Sequence, residues 1–164
     1  MGIFVALDFE TADRGRDSAC SLAVVRVEGA RITAREHRFI RPPRREFEFT
    51  HIHGISWGDV KDQPAFASVW RSIEPLLDGA KFIAAHNASF DRGVLAACCS
   101  DARVVPPALR FECTVQLARE RWNLHPTRLP DVCRHLGISL NHHNALSDAE
   151  ACARIVIAAR RKAR

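Results

Sequence analysis

The sequence predicts an α/β protein built on a mixed β-sheet with helices on both faces. Three strand-like segments come first, and strand-like and helix-like segments then alternate toward the end of the chain. Strands followed by alternating strands and helices are typical of a mixed sheet covered by helices. The 164 residues suit one domain with one hydrophobic core, and no linker or internal repeat divides them. We therefore predict a single domain over residues 1–164.

The first three predicted strands lie at the start of the chain. Residues Ile3–Leu7 form a short, continuous apolar run, which suits a buried strand better than a helix. Segments Ser21–Val27 and Arg31–Ile40 are separated by Glu28-Gly29-Ala30, a Gly-containing connection that predicts an antiparallel hairpin. The loop over residues 42–62 has no predicted helix or strand.

The remainder of the chain predicts helices interleaved with two short strands. Apolar residues from Phe66 to Leu77 recur at helical spacing; Pro75 is expected to kink or tighten the last turn, and Gly79 to stop the helix. The other predicted elements are the strand Phe82–Ala85, the helix Ala88–Cys99 with Asn87 as N-cap, a strand entry and helix over Phe111–Trp122, the helix Leu129–Leu136 ended by Gly137, and a last helix that begins near Asn144. Together with the first three strands, these segments predict a five-stranded sheet.

Composition limits the class of protein. A hydrophobic fraction of 47% and a charged fraction of 26% are typical of a soluble globular protein. No apolar run is long enough to span a membrane and no signal peptide is visible, so we expect a cytoplasmic protein without a membrane partner. Without an export signal, the six cysteines are expected to be reduced and mostly buried. The chain contains no Cys-x-x-Cys pair, so structural zinc is not expected.

Charge gives a first indication of the partner. The net charge of +5 and isoelectric point near 9.2 favour a polyanion, although a basic surface that serves only solubility explains them equally well. The basic residues cluster in one loop and in a tail, which contain Arg41, Arg44 and Arg45, and Arg160, Arg161, Lys162 and Arg164.

Two carboxylates follow the first predicted strand. Asp8 and Glu10 lie two residues apart, so their side chains point to the same face. Such a pair repels itself unless a divalent cation neutralises it, and hard oxygen ligands suit magnesium or manganese. A solvated strand end before a turn is the simpler explanation.

A third carboxylate lies at the start of a helix. Asp91 falls in the first turn after the strand Phe82–Ala85, where its charge also complements the helix dipole. In open α/β sheets, ligand sites gather at the carboxyl ends of strands. Because Asp8, Glu10 and Asp91 all fall at such ends, the sequence predicts that they share one site.

The start of the last helix adds another acid and a histidine. Asp148 is expected in the first helical turn and His143 in the preceding loop, which would let Asp148 bind metal while His143 stays free. A histidine titrates near neutral pH and can therefore remove a proton from water. With His142 and His125 nearby, an ordinary surface histidine is the alternative explanation of His143.

Three segments of the chain resemble the motifs of a known family. They are Asp8-Phe9-Glu10-Thr11, His86-Asn87-Ala88-Ser89-Phe90-Asp91 and His143-Asn144-Ala145-Leu146-Ser147-Asp148-Ala149. In this order they resemble the three exonuclease motifs of the DEDDh 3′→5′ exonucleases, the group of the proofreading epsilon subunit of bacterial DNA polymerase III and its stand-alone relatives. The resemblance extends from Ile3 to about Ala158 and implies a single exonuclease domain with a ribonuclease-H-like fold.

The resemblance also implies a reaction and the residues that perform it. Nucleoside 5′-monophosphates would be released one at a time from a single-stranded 3′ end, with DNA favoured over RNA. Asp8, Glu10 and Asp148 would ligate two divalent cations, Mg or Mn, and Asp91 would complete the site directly or through water. His143 would act as general base. A histidine rather than a tyrosine at position 143 assigns the DEDDh subgroup.

The same resemblance implies contacts to the 3′-terminal nucleotide. They are Phe9, Thr11, His53, Asn87 and Phe90. His53 belongs to the segment Thr50–Ile55, which resembles the family's loop beside that nucleotide. A base could stack on Phe90 with little discrimination between bases. Ordinary capping and core packing are the alternative explanation of these residues.

Other functions remain open at this point. An RNA 3′→5′ exonuclease would depend on contacts to the 2′-hydroxyl that the sequence does not reveal. A nucleic-acid-binding module without catalysis is disfavoured, because all five catalytic positions hold competent residue types. No convincing clamp-binding peptide is found: Gln116-Leu117-Ala118-Arg119 falls inside a predicted helix. A stand-alone exonuclease is therefore favoured over a replicase subunit.

Overall fold

The computed structural model describes residues 2–161 and contains a five-stranded mixed sheet. The strands are β1 (Ile3–Thr11), β2 (Ala19–Glu28), β3 (Arg31–Phe39), β4 (Ile83–Ala85) and β5 (Phe111–Cys113). The helices are α1 (Thr50–His53), α2 (Trp57–Val60), α3 (Phe66–Ile73), α4 (Ala88–Asp101), α5 (Thr114–Trp122), α6 (Leu129–Leu136) and α7 (Ala145–Arg160). The predicted α/β class is confirmed.

The sheet combines an antiparallel part and a parallel part in the order β3-β2-β1-β4-β5. β1 pairs antiparallel with β2 and β2 with β3, whereas β4 is parallel to both β1 and β5. Gly29 and Ala30 join β2 to β3, and Gly29 has a φ of 61°, which glycine adopts without steric cost. The predicted hairpin is confirmed.

Helices cover both faces of the sheet because the side chains of β1 alternate between two cores. Phe4 and Ala6 belong to the core beneath α5, α6 and α7. Val5, Leu7 and Phe9 belong to the core beneath α3 and α4. Helix α7 packs against β1 and β2, and Asp148 in its first turn lies close to Asp8 and Glu10 near the end of β1.

The end of the first strand and the content of one loop differ from the prediction. β1 does not end at Leu7 but continues to Thr11, because it pairs with β2 along this whole length. The loop over residues 42–62 contains α1 and α2, which are four residues long each and too short to give a periodic hydrophobic signal.

The helix predicted from Phe66 to Leu77 forms in two parts. α3 ends at Ile73, and a 3₁₀ turn over Glu74–Leu77 follows. Proline lacks a backbone N–H and its ring clashes with the carbonyl four residues earlier, so Pro75 accounts for the tighter turn. Gly79 lies two residues beyond this turn with a φ of 72°.

Three further expectations concern the whole chain. All six cysteines are free thiols and five of them are buried. Of the predicted basic tail, Lys162 and Arg164 lie outside the described residues, whereas Arg160 pairs with Glu112 at 2.6 Å. Among residues 2–161, no helix combines the length and apolar character needed to cross a membrane.

Candidate active site

Two carboxylates lie at the edge of the sheet where β1 passes beyond its parallel partner. The pairing of β1 with β4 reaches Ala6 and Ala84. Asp8 and Glu10 follow on the same face of β1 as Ala6, and both are half-buried. Their carboxylates therefore share the open edge of the sheet, as predicted from their spacing.

Helix α7 brings a third carboxylate to this edge. Asp148 lies in the first turn of α7 and is 4% exposed. Asn144 is the N-cap, and its side chain accepts a hydrogen bond from the backbone N–H of Ser147 at 3.1 Å. One oxygen each of Asp8, Glu10 and Asp148 lies within 4.8 Å of the other two. The structure thus brings together three of the four predicted metal ligands.

The fourth predicted ligand is oriented toward the backbone. Asp91 is 1% exposed, and its Oδ1 accepts a hydrogen bond from the backbone N–H of Phe9 at 3.0 Å. This bond joins the first turn of α4 to β1. Asp91 is not part of the three-oxygen group, but it is close enough that its charge raises the pKa of Asp8.

Burial and mutual repulsion disfavour the ionised forms of these acids. The pKa of Asp8 lies well above its ordinary value, first because of burial and then because of Asp91, Asp148 and Glu10. Burial, with Asp148 and Asp91, raises the pKa of Glu10 to about 8. Burial raises the pKa of Asp91 to about 7 and also raises the pKa of Asp148. A cation at this position would remove the repulsion.

Asp148 shows the fit to a divalent cation most directly. Its Oδ2 lies 2.9 Å from Nδ1 of His142 and accepts a hydrogen bond from the backbone N–H of His143 at 3.2 Å. Its Oδ1 is buried and has no hydrogen-bond partner within residues 2–161. A buried carboxylate oxygen without a partner is costly, and hard oxygen donors suit Mg²⁺ and Mn²⁺. The residues present therefore fit such a metal.

Two neighbouring histidines face Asp148. His143, the predicted base, has a φ of 65°, and its ring stacks on that of His142 with centroids 3.8 Å apart. Burial and His142 lower the pKa of His143, and Asp148 opposes this shift. The side chain that contacts Asp148 is His142, which sequence reasoning noted only as a neighbour. The adjacent histidine pair before α7 was the signal that could have found it.

The predicted substrate loop lies on one side of the carboxylates. His53 donates a hydrogen bond from Nε2 to the carbonyl of Thr11 at 3.0 Å, and its Nδ1 accepts one from the N–H of Ile55 at 3.1 Å. These two bonds select the neutral ring. Glu10, His53 and His143 line a cavity of about 230 Å³. Thr11 is buried and contributes its carbonyl to this arrangement.

Phe9 and Phe90, both predicted to contact the nucleotide, differ in accessibility. Phe9 is 3% exposed and packs in the core on the face opposite Asp8 and Glu10. A contact between its ring and a nucleotide is therefore not supported, because strand alternation turns the ring away from the carboxylates. Phe90 is 37% exposed, so its ring is accessible for stacking.

Asn87 does not cap α4 as predicted. It occupies the N-cap position, but its backbone is left-handed, with φ of 63° and ψ of 53°, and its side chain makes no capping bond. Its Oδ1 instead accepts a hydrogen bond from the hydroxyl of Ser89 at 3.3 Å. Asparagine tolerates this backbone better than most residues. Asn87 lines a second cavity, of about 540 Å³, together with Asp8 and Asp148.

Hydrogen bonds of His86 and Arg119 connect residues that line this second cavity. Nε2 of His86 donates to the carbonyl of Thr127 at 2.9 Å, and its Nδ1 lies 2.8 Å from the hydroxyl of Thr114. Arg119 donates from Nε to the hydroxyl of Thr127 at 3.0 Å. Sequence reasoning missed the contacts of His86 because they join residues 28 and 41 positions apart in the chain.

Solved exonuclease structures share this architecture. Exonuclease X, in complex with 5′ overhanging duplex DNA, matches with a TM-score of 0.77 and 25% identity over 95% of this chain and 90% of that one. The nuclease domain of 3′hExo, a DEDDh family member bound to rAMP, matches with a TM-score of 0.80 and 18% identity over 95% and 90% of the two chains. The fold is therefore the ribonuclease-H-like fold of DEDDh exonucleases.

Curated proteins match in sequence. The PolC-type DNA polymerase III of Oceanobacillus iheyensis is 33% identical over 153 residues, which cover 90% of this chain and 11% of the polymerase. The 3′-5′ exonuclease DinG of Bacillus subtilis is 31% identical over 153 residues, which cover 90% of this chain and 16% of DinG. This chain thus spans a small part of the length of these relatives.

The family model described as Exonuclease, RNase_T, matches residues 5–156. The chain belongs to this exonuclease family, and it shares its fold with a DEDDh member. The exonuclease family predicted from the three motifs is therefore confirmed.

Proposed function

We propose that this chain is a metal-dependent exonuclease that releases nucleoside 5′-monophosphates from the 3′ end of a single DNA strand. The observation that carries the proposal is the group of Asp8, Glu10 and Asp148, whose oxygens lie within 4.8 Å of one another. The unpaired, buried Oδ1 of Asp148 points to the same conclusion. Residues 1–164 would form one exonuclease domain, and its cytoplasmic location stays a prediction.

The carboxylates would hold two divalent cations, Mg or Mn. Asp8, Glu10 and Asp148 supply the oxygens, and Asp91 would complete the site directly or through water. Cations bound there lower the pKa of the attacking water and stabilise negative charge on the leaving oxygen. The raised pKa of Glu10, about 8, supports this assignment. Burial is its first cause, and repulsion by Asp148 and Asp91, which cations would remove, is the second.

His143 would accept the proton of the attacking water. It is exposed, and it lines the same cavity as Glu10. The water oxygen attacks the phosphorus of the last phosphodiester, and the bond from phosphorus to the 3′ oxygen of the preceding nucleotide breaks. The released nucleotide keeps the phosphate at its 5′ carbon, and the shortened strand gains a 3′-hydroxyl.

The two cavities beside the carboxylates would divide the substrate between them. The cavity next to His53 would take the terminal nucleotide, with Thr11 holding His53 through its carbonyl. The exposed ring of Phe90 would stack on a base, and Asn87 would line the path of the strand in the larger cavity. The ring of Phe9 has no part in this proposal.

The proposed preference for DNA is drawn from the relatives. The PolC-type relative is named a DNA polymerase, and Exonuclease X was solved with duplex DNA. No described residue is identified as a contact to a 2′-hydroxyl, the group that distinguishes RNA. RNA is therefore the alternative substrate that the test must include.

The test is a ladder assay on matched 5′-labelled single strands of DNA and RNA. We expect stepwise shortening of DNA with Mg²⁺ or Mn²⁺, no shortening with a chelator, and none by the Asp148→Asn variant. Asp101→Asn is the control, because this acid is exposed at the end of α4 and should leave activity intact. Cleavage by Asp148→Asn at the wild-type rate would contradict the proposed site, and faster shortening of RNA would reassign the substrate.

A further inference from the structure

His142 contacts the proposed metal centre, although none of the three motifs includes it. Its Nδ1 lies 2.9 Å from Oδ2 of Asp148. Its ring also stacks on that of His143, with centroids 3.8 Å and planes 25° apart. A single side chain therefore contacts both a proposed metal ligand and the proposed base.

The contacts of Asp148 differ between its two oxygens. Oδ2 faces two donors, the ring of His142 and the backbone N–H of His143. Oδ1 is buried and faces no donor within residues 2–161. The terminal torsion of an aspartate is otherwise broad, so donors on one oxygen fix the direction of the other. A neutral imidazole with its proton on Nδ1 is sufficient for this role.

The backbone before α7 also needs support. His143 has a φ of 65°, a left-handed conformation that residues other than glycine rarely adopt. This conformation accompanies the bond from the N–H of His143 to Asp148. The stacked ring of His142 packs against the His143 side chain.

We propose that His142 is a positioning residue of the metal centre. Its ring nitrogen holds Asp148 so that Oδ1 faces the cation, and its ring face supports His143. Replacing a group that orients a metal ligand typically lowers metal affinity by about 10- to 100-fold. This inference rests on the proposed metal-dependent function.

Two substitutions test the hydrogen-bond donor and the ring of His142 separately. His142→Asn keeps an N–H donor near the position of Nδ1 and removes the ring, whereas His142→Phe keeps a stacking ring and removes the donor. The side chain of His142 is 37% exposed, so both variants should fold, which circular dichroism checks. His135→Phe is the matched control, since it makes the same change at another exposed histidine, in the last turn of α6.

The first readout is Mn²⁺ binding to metal-free protein by titration calorimetry. We expect His142→Phe to weaken Mn²⁺ binding by about 10- to 100-fold. His142→Asn and His135→Phe should bind close to the wild-type affinity. Equal affinity of His142→Phe and wild type would overturn the inference, as would equal losses in both His142 variants. Wild-type protein that binds no Mn²⁺ would instead overturn the proposed function, and this inference with it.

The second readout is kcat at saturating Mn²⁺. His142→Phe, the weaker Mn²⁺ binder of the two His142 variants, should have the higher kcat. His142→Phe keeps the ring that supports His143, so it should retain more of the wild-type kcat than His142→Asn. A lower kcat for His142→Phe than for His142→Asn under these conditions would overturn the role assigned to the ring.

Discussion

Glu10 is a carboxyl group held in a half-buried position near three other acids. Its pKa is about 8 in the folded protein, compared with an ordinary value of 4.5. Between these values the folded state binds a proton that the unfolded state does not, so stability falls as pH rises through this window. The metal-free protein is therefore expected to be more stable at about pH 5 than at about pH 8.

Replacing Glu10 by glutamine should remove this penalty. We expect Glu10→Gln to exceed wild type in stability at about pH 8.5 by on the order of 1–2 kcal/mol, less than the full shift implies because the group is partly exposed to water. Urea denaturation with a chelator present, repeated across the pH range, measures the effect. If the stability of Glu10→Gln depends on pH as that of the wild type does, the pKa of Glu10 is not raised.

His143 and Asp148 are expected to respond differently to substitution. Loss of a general base typically costs about 10²- to 10⁴-fold in rate. His143→Ala should therefore lose kcat by about that factor while it keeps most of its Mn²⁺ affinity, whereas Asp148→Asn should lose both. Steady-state kinetics and Mn²⁺ titration on the same preparations test this division. An equal loss of Mn²⁺ affinity in the two variants would mean that His143 is a ligand.

At the scale of elements, the first turn of α7 holds the proposed site in place. The side chain of Asn144 caps this turn, and His143 and Asp148 flank the cap. Asn144→Ala should cost about 1 kcal/mol of stability, and Asn144→Ser should retain most of it. The alanine variant should also lose activity, since the capped turn orients Asp148. Thermal or urea unfolding and the ladder assay measure the two effects, and an Asn144→Ala variant with unchanged stability would contradict the cap.

Most elements could be predicted because their hydrophobic patterns are local. The segment beginning at Phe66 has helical periodicity, and the buried strand ending at Ala85 is a short apolar run. The end of β1 could not be read in this way, because Asp8 and Glu10 interrupt the apolar run although the strand continues. The left-handed backbone at Asn87 was also missed, since a good capping residue predicts an ordinary cap.

At the scale of the molecule, the site is assembled from segments far apart in the chain. The hydrogen bond from Phe9 to Asp91 joins residues separated by 82 positions. The motifs predicted which acids meet, and three of them do meet at the edge of the sheet. The motifs could not predict that Asp91 faces the backbone or that His142 contacts Asp148, because such contacts depend on side-chain directions set by packing.

Metal binding should stabilise the whole fold, because the four acids repel one another without it. A ligand at about 100 times its Kd adds roughly 2.7 kcal/mol to the free energy of unfolding. Mn²⁺ or Mg²⁺ should therefore raise the Tm of wild type near pH 8, and a chelator should reverse the change. Asp148→Asn should show little response. A Tm of wild type that does not depend on either cation would argue against the metal centre.

The central claim is that the carboxylates at the end of β1 and the start of α7 bind the cations that cleave the phosphodiester. Anomalous X-ray diffraction from crystals grown with Mn²⁺ tests it most directly. The account predicts Mn²⁺ peaks at about 2.1 Å from oxygens of Asp8, Glu10 and Asp148, including Oδ1 of Asp148. Peaks elsewhere on the molecule with none at these three residues would contradict it.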